Sequence, residues 1–154
     1  MIYRYKATIP KYKSFVRIYE VRESATLYAF HLFLQNDLSF SPDMQVFFRT
    51  YDEAGKMVRE CGLFDTGYGS MDQIHLETLH NKGEKTLHYV FDIFKKRYLT
   101  LEFDGMEEES LRKAYPRTIM ERGGVPDQFR EEPISFDIHF EELESDAVSD
   151  DSDE

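Results

Sequence analysis

The strongest constraint on this chain is a period of two. Tyr3, Tyr5, Ala7 and Ile9 alternate with Arg4, Lys6 and Thr8, so one side of the segment is apolar and the other is wet, the mark of a half-buried β-strand. Pro10 and the polar Lys11-Tyr12-Lys13-Ser14 end it. A second alternating run follows, with Phe15, Arg17, Tyr19 and Val21 on one side and Val16, Ile18 and Glu20 on the other. Strand, short loop, strand predicts a hairpin. Met44 to Tyr51 and Lys56 to Leu63 read as a second pair around the turn Asp52-Glu53-Ala54-Gly55. Thr86 to Phe91 and Arg97 to Phe103 read as a third, around Asp92 to Lys96. Ile134, Phe136, Ile138 and Phe140 alternate strictly with Ser135, Asp137 and His139, which predicts a seventh strand.

Only one stretch changes period. Leu27, Phe30, His31, Leu34 and Leu38 fall at helical spacing, with Ser24 or Thr26 placed to cap the first turn and Pro42 beyond the end. Glu107 to Ala114 predicts a short helix stopped by Pro116, and Gly123-Gly124 with Pro126 an irregular return. Residues 65–85 carry no clear period. The fold class is therefore α+β: a single mixed or antiparallel sheet of about seven strands with one main helix packed on it. Its strand–strand–helix–strand opening follows the order of a β-grasp, an analogy that implies no function.

Charge divides the chain. Glu141 to Glu154 holds eight acidic residues and no basic one, whereas residues 1–22 hold Arg4, Lys6, Lys11, Lys13, Arg17 and Arg22 against Glu20 alone. The first segment has too little apolar surface to offset its ordering entropy, so the expected layout is a domain over 1–140 and an acidic disordered tail over 141–154. With a single cysteine, Cys61, no internal disulfide is expected, and neither a leader nor a membrane span is visible; these point to a cytoplasmic protein.

Chemical signatures are sparse. The histidines His31, His75, His80, His88 and His139 show no ligand spacing, and neither metal nor cofactor is expected. Cys61 lies on an expected strand and reads as a small buried hydrophobe rather than a nucleophile. Gly67-Tyr68-Gly69-Ser70 lacks the lysine of a phosphate loop and the sequence of a nucleophile elbow. The feature with most to offer is the basic N-terminal hairpin. Arg4 and Lys6 lie on one face of the first strand, Lys11, Tyr12 and Lys13 in the loop, and Arg17 on the second strand. Cations around an aromatic suit an acidic partner or a phosphate backbone, although lysines also protect sheet edges.

The opening strand pair, Ala25-Thr26-Leu27-Tyr28-Ala29-Phe30-His31, Met44-Gln45-Val46-Phe47-Phe48, Leu87-His88-Tyr89-Val90-Phe91-Asp92 and Leu99-Thr100-Leu101-Glu102 form an ordered set. Together these segments resemble the Ri-plasmid ORF-3-like family of bacterial proteins of unknown function. They run in order over most of residues 1–140. Tyr115-Pro116-Arg117 and Gly123-Gly124-Val125-Pro126-Asp127 match the family's proline–glycine–proline spacing. Where members carry glycine and aspartate after the tyrosine–aspartate–phenylalanine stretch, this chain has Phe94 and Lys95, and Arg97 and Leu99 replace a tryptophan and a histidine. The resemblance implies a divergent branch met in mobile elements and no activity. The expected function is a non-enzymatic protein-interaction module with an acidic tail, its partner unidentified. The alternatives are a nucleic-acid accessory protein using the basic hairpin and a small enzyme.

Overall fold

The computed structural model describes residues 1–126. The elements are β1 (Ile2–Ile9), β2 (Tyr12–Arg22), α1 (Leu27–Asp37), β3 (Phe47–Tyr51), β4 (Met57–Cys61), a 3-10 turn (Met71–Gln73), α2 (Leu76–Asn81), β5 (Thr86–Asp92), β6 (Arg97–Glu107) and β7 (Arg117–Arg122). The strands form one sheet in the order β4-β3-β5-β6-β1-β2-β7. Every neighbouring pair is antiparallel, so of the mixed and antiparallel alternatives it is the antiparallel sheet that forms. None of the described helices is long and apolar enough to cross a membrane.

Alternation decides which face is covered. Tyr3, Tyr5 and Ala7 of β1, Phe15, Tyr19 and Val21 of β2, Phe48 of β3, Leu87, Tyr89 and Phe91 of β5 and Leu99 and Leu101 of β6 are all buried. They meet Leu27, Phe30 and Leu34 from α1 and Leu76 and Leu79 from α2. Thr26 caps α1 by accepting a hydrogen bond from the Ala29 amide. The core is dense in rings, with Phe30 packed on Tyr5, Tyr19 and Phe48.

Burial also holds phenolic protons. It pushes the Tyr3 hydroxyl up to about 12 and those of Tyr5, Tyr19 and Tyr89 higher still, and the Asp37 carboxylate adds to the effect at Tyr19. An unfolded chain releases such protons near pH 10. Their contribution is complete below that pH and declines as pH rises towards the folded value, because the unfolded state then binds fewer protons. Phenolate signals from these four rings should therefore emerge together with loss of the far-ultraviolet circular-dichroism signal above pH 10. Ionisation of these rings at ordinary tyrosine pH in an intact fold would contradict the burial.

Three local expectations need correction. Glu107–Ala114 is not a helix: β6 extends to Glu107, and Leu111, the apolar residue such a helix would have to bury, is 98% exposed. The 65–85 region contains α2 behind the 3-10 turn, anchored where the Leu27 amide donates to the Ile74 carbonyl and the Leu76 amide to the Ala25 carbonyl. The seventh described strand is Arg117–Arg122, a segment given no strand by its pattern, and it ends just before the irregular Gly123-Gly124 and Pro126. The strand expected at Ile134–Phe140 and the acidic tail expected over 141–154 lie outside the described residues.

Candidate docking surface

Because β6 runs antiparallel to β1, with Thr8 opposite Thr100, the β1–β2 turn and the β5–β6 turn emerge at the same end of the sheet. One bond ties them: the Arg97 guanidinium donates to the Tyr12 hydroxyl at 3.0 Å. The same guanidinium grips the Asp92 carboxylate at 2.7 and 3.1 Å, with both side chains buried. Asp92 is thus occupied internally, while Glu121 of β7, 65% exposed, stands at the same end 3.9 Å from the Arg17 guanidinium. Also at this end stand Lys11, Lys13, Lys95 and Lys96, all exposed. Phe94, next to Lys95 in the β5–β6 turn, has 86% of its surface in water.

Both turns hold a lysine in a backbone conformation that suits glycine. Lys11 has φ 75° and Lys96 φ 56°. Ile9 pairs with Tyr12 across a two-residue loop of Pro10 and Lys11, and a turn with proline first and a positive φ second ordinarily takes glycine or asparagine there. A β-carbon in this region costs on the order of 1 kcal/mol relative to glycine. The only other non-glycine residue with positive φ among the described residues is Ser39, just past α1. Strain accepted twice at one end, each time to display a cation, marks that end as a functional candidate.

The chain also leaves the described fold here. β7 pairs with β2 so that Arg122 lies opposite Val16. The next residue, Gly123, has φ 82°, and an ideal β-carbon on it would sit 2.1 Å from the Ser14 carbonyl oxygen. Arg17 fixes this crossing. Although basic, it lies on the core side of β2 and is 3% exposed. Its guanidinium donates to the carbonyls of Val16, Arg122 and Gly123 at 2.9, 2.9 and 3.0 Å and stacks on the Phe15 ring at 4.4 Å.

The six residues singled out in the sequence therefore separate. Lys11, Tyr12 and Lys13 share the turn end. Arg17 is a buried clamp beneath it. Arg4 lies on the opposite, uncovered face of the sheet, donating to Glu20 and Glu107 at 3.2 and 3.1 Å. Lys6 lies on that face, midway along β1 and across from Glu102 of β6. Sequence reasoning missed Lys95, Lys96 and Phe94 as partners of the hairpin. The signal was present in their place at a turn between two alternating runs.

Other chemically capable groups are committed elsewhere. Cys61 is fully buried and its thiol is pushed up to about 11, by burial above all, which leaves no thiolate near neutral pH. His31 meets the Tyr89 hydroxyl at 2.8 Å inside the core. His88 is half-buried between Tyr51 and Tyr98, with ring centres 4.2 and 4.1 Å away; burial first, then the Arg49 charge, push it down to about 4 and keep it neutral. A groove of ≈ 340 Å³ beside Tyr51 and His88 also presents Glu53 and Lys85. Among the described residues no group of three or more His, Cys, Asp or Glu is arranged to hold a metal ion.

No family model matches the chain, and no curated protein matches it. Among solved structures, the fold is similar to the crystal structure of a protein of unknown function from Methanosarcina mazei Go1, with a TM-score of 0.75 over 85% of this chain and 74% of that one, at 14% identity. At that identity the likeness shows a shared fold.

Proposed function

We propose that this chain is a protein-interaction module that uses the turn end of its sheet to hold an acidic segment of a partner. In the same reading it is a divergent member of the Ri-plasmid ORF-3-like family. The observation that carries the docking proposal is the pair of lysines, Lys11 and Lys96, kept at positive φ beside Lys13, Lys95 and an exposed Phe94. Clustered cations raise the encounter rate with an acidic partner, and an exposed apolar group in the same turn as two of them adds contact area. Among the described residues β7 is an edge strand that ends beside this surface, and such an edge offers backbone pairing to an extended partner segment.

Glycine substitution separates docking from stability. The double variant Lys11→Gly/Lys96→Gly should be more stable than the parent by about 1–2 kcal/mol, since strain is relieved at two turns. Its affinity for a synthetic Glu/Asp-rich peptide should nevertheless fall at least tenfold, followed by fluorescence anisotropy at low salt. A variant that gains stability and keeps its affinity would remove the reason for the strained lysines and overturn the proposal.

Phe94 favours a second reading, a nucleic-acid accessory role in which the ring stacks on a base. Phe94→Ala should then weaken binding of a single-stranded oligonucleotide by about 1–3 kcal/mol, with affinity falling steeply as salt rises. Binding of the acidic peptide should depend far more on the lysines than on this ring.

A further inference from the structure

We infer that the groove between the β3–β4 turn and the start of β5 binds a guanidinium group, stacked on Tyr51 and His88 with its N–H donors turned to the surrounding carboxylates. Tyr51 pairs with Thr86, where β5 begins, whereas the lysine-bearing turn follows the other end of that strand at Asp92. The groove is thus separate from the docking surface, and neither site depends on the other. Three of its properties converge on this ligand: a flat aromatic wall, negative charge and an uncharged acceptor.

On the face of the sheet turned away from α1, Tyr51 of β3, His88 of β5 and Tyr98 of β6 form a row of half-buried rings with centres 4.2 and 4.1 Å apart. The row ends in the groove, whose ≈ 340 Å³ reaches the size of small-molecule sites, which begin at about 300 Å³. A flat cation fits against such rings, and the guanidinium is planar. The same face already holds one: the Arg49 guanidinium lies 5.1 Å from the Phe47 ring centre and pairs with Glu60 at 3.1 Å. Negative charge comes from Asp52 and Glu53 in the turn and from Glu102, opposite Thr86 on β6. One Asp52 oxygen accepts from the Ala54 and Lys56 amides and so fixes the turn that presents Glu53. Among the described residues Glu53 has no ion pair. Lys85, also in the lining, carries its ammonium to the Phe103 ring, 5.8 Å from its centre and against the core. His88 supplies the acceptor. Burial and the Arg49 charge keep its imidazole neutral, and its nitrogens have no hydrogen-bond partner among the described residues, so one of them accepts from a ligand N–H. A lysine ammonium is charged but not flat, and a nucleobase is flat but brings no charge to the acids. A guanidinium meets all three demands.

The full chain is titrated with N-acetyl-L-arginine N-methylamide, with its lysine counterpart and with free L-arginine, and backbone amide shifts are followed. The blocked arginine should move the Tyr51, Glu53 and His88 amides saturably, and the blocked lysine should bind about fivefold more weakly or worse. Glu53→Gln should weaken the blocked arginine about three- to fivefold, the effect of one exposed charge. His88→Phe, which keeps a flat ring and removes the acceptor, should weaken it by a similar factor. The ligand comparison is made on the parent chain, so a variant that fails to fold leaves the test intact. Tighter binding of the blocked form than of free arginine would support the site and identify its ligand as a side chain of a protein; the reverse order would support it as a site for a small molecule. A blocked arginine that moves none of these amides, or arginine and lysine forms bound equally well, would overturn the inference. Lys11→Gly/Lys96→Gly, which tests the docking surface, should leave binding of the blocked arginine unchanged.

Discussion

Replacing Glu84 with alanine should cost about 3–4 kcal/mol of folding stability, a large part of what a domain of this size possesses. Glu84 is 3% exposed, between α2 and β5. Its two carboxylate oxygens accept from the Arg59 guanidinium at 2.8 and 2.9 Å, and one also accepts from the Thr50 hydroxyl at 2.6 Å. The group therefore ties β3 and β4 to the α2–β5 connection. Deleting it leaves a guanidinium and a buried hydroxyl without their acceptor. That loss exceeds the worth of the pair itself, because the desolvation already incurred is no longer offset. Removing both charges together, as Arg59→Met/Glu84→Leu, should recover much of the loss. Urea unfolding of the three proteins tests the argument; a single variant within 1 kcal/mol of the parent would show that the pair is not buried as described.

The other large effect belongs to Gly123. An alanine there meets two penalties: the positive φ of 82° and a β-carbon 2.1 Å from the Ser14 carbonyl oxygen, with the Phe15 α-carbon at 3.0 Å. Backbone cannot yield as a flexible side chain does, so the strand end must lift away from β2 and the Arg17 guanidinium must lose carbonyl acceptors. Gly55 supplies the matched control, since it has the same φ of 82° but nothing within 4 Å of its ideal β-carbon. Gly55→Ala should cost about 1 kcal/mol, the conformational term alone. Gly123→Ala should cost about 3 kcal/mol or release residues from 117 onward from the sheet. Equal losses in the two variants would mean that the departing strand is not held against Ser14.

Most of the sheet was legible because one of its faces is covered. Where a strand has a buried side, the period of two is enforced, and β1, β2, β5 and β6 carry it openly. Arg17 is instructive: the alternation placed it with Phe15, Tyr19 and Val21 on the core side, while its charge suggested a surface. The structure reconciles the two by giving the guanidinium three carbonyl acceptors. β7 escaped notice because Arg117–Arg122 is an edge strand with exposed Ile119 and Met120 and no buried side to pattern it. The six-residue α2 buries only Leu76 and Leu79, too few positions to establish a period. The docking surface was half legible. A linear reading shows that Lys11, Tyr12 and Lys13 share a loop; that Phe94 and Lys96 stand beside them follows from strand order, which local patterns do not encode.

That strand order also sets a sequence of events during synthesis. β1 occupies the interior of the finished sheet, yet one of its two neighbours is β6, with Ile2 opposite Glu107. A ribosome that has just delivered the first hairpin has made a ribbon with two open long sides, which β6 and then β7 later cover. Meanwhile β3, β4, β5 and β6 can assemble among themselves through consecutive or near-consecutive pairings. Among the described residues the sheet in this sense depends on two long-range pairings, β1 with β6 and β2 with β7, which carry its greatest loop-closure costs. Until they close, the nascent hairpin presents the unpaired edges that the mature fold hides, which makes this the interval of greatest exposure to mispairing and to chaperones.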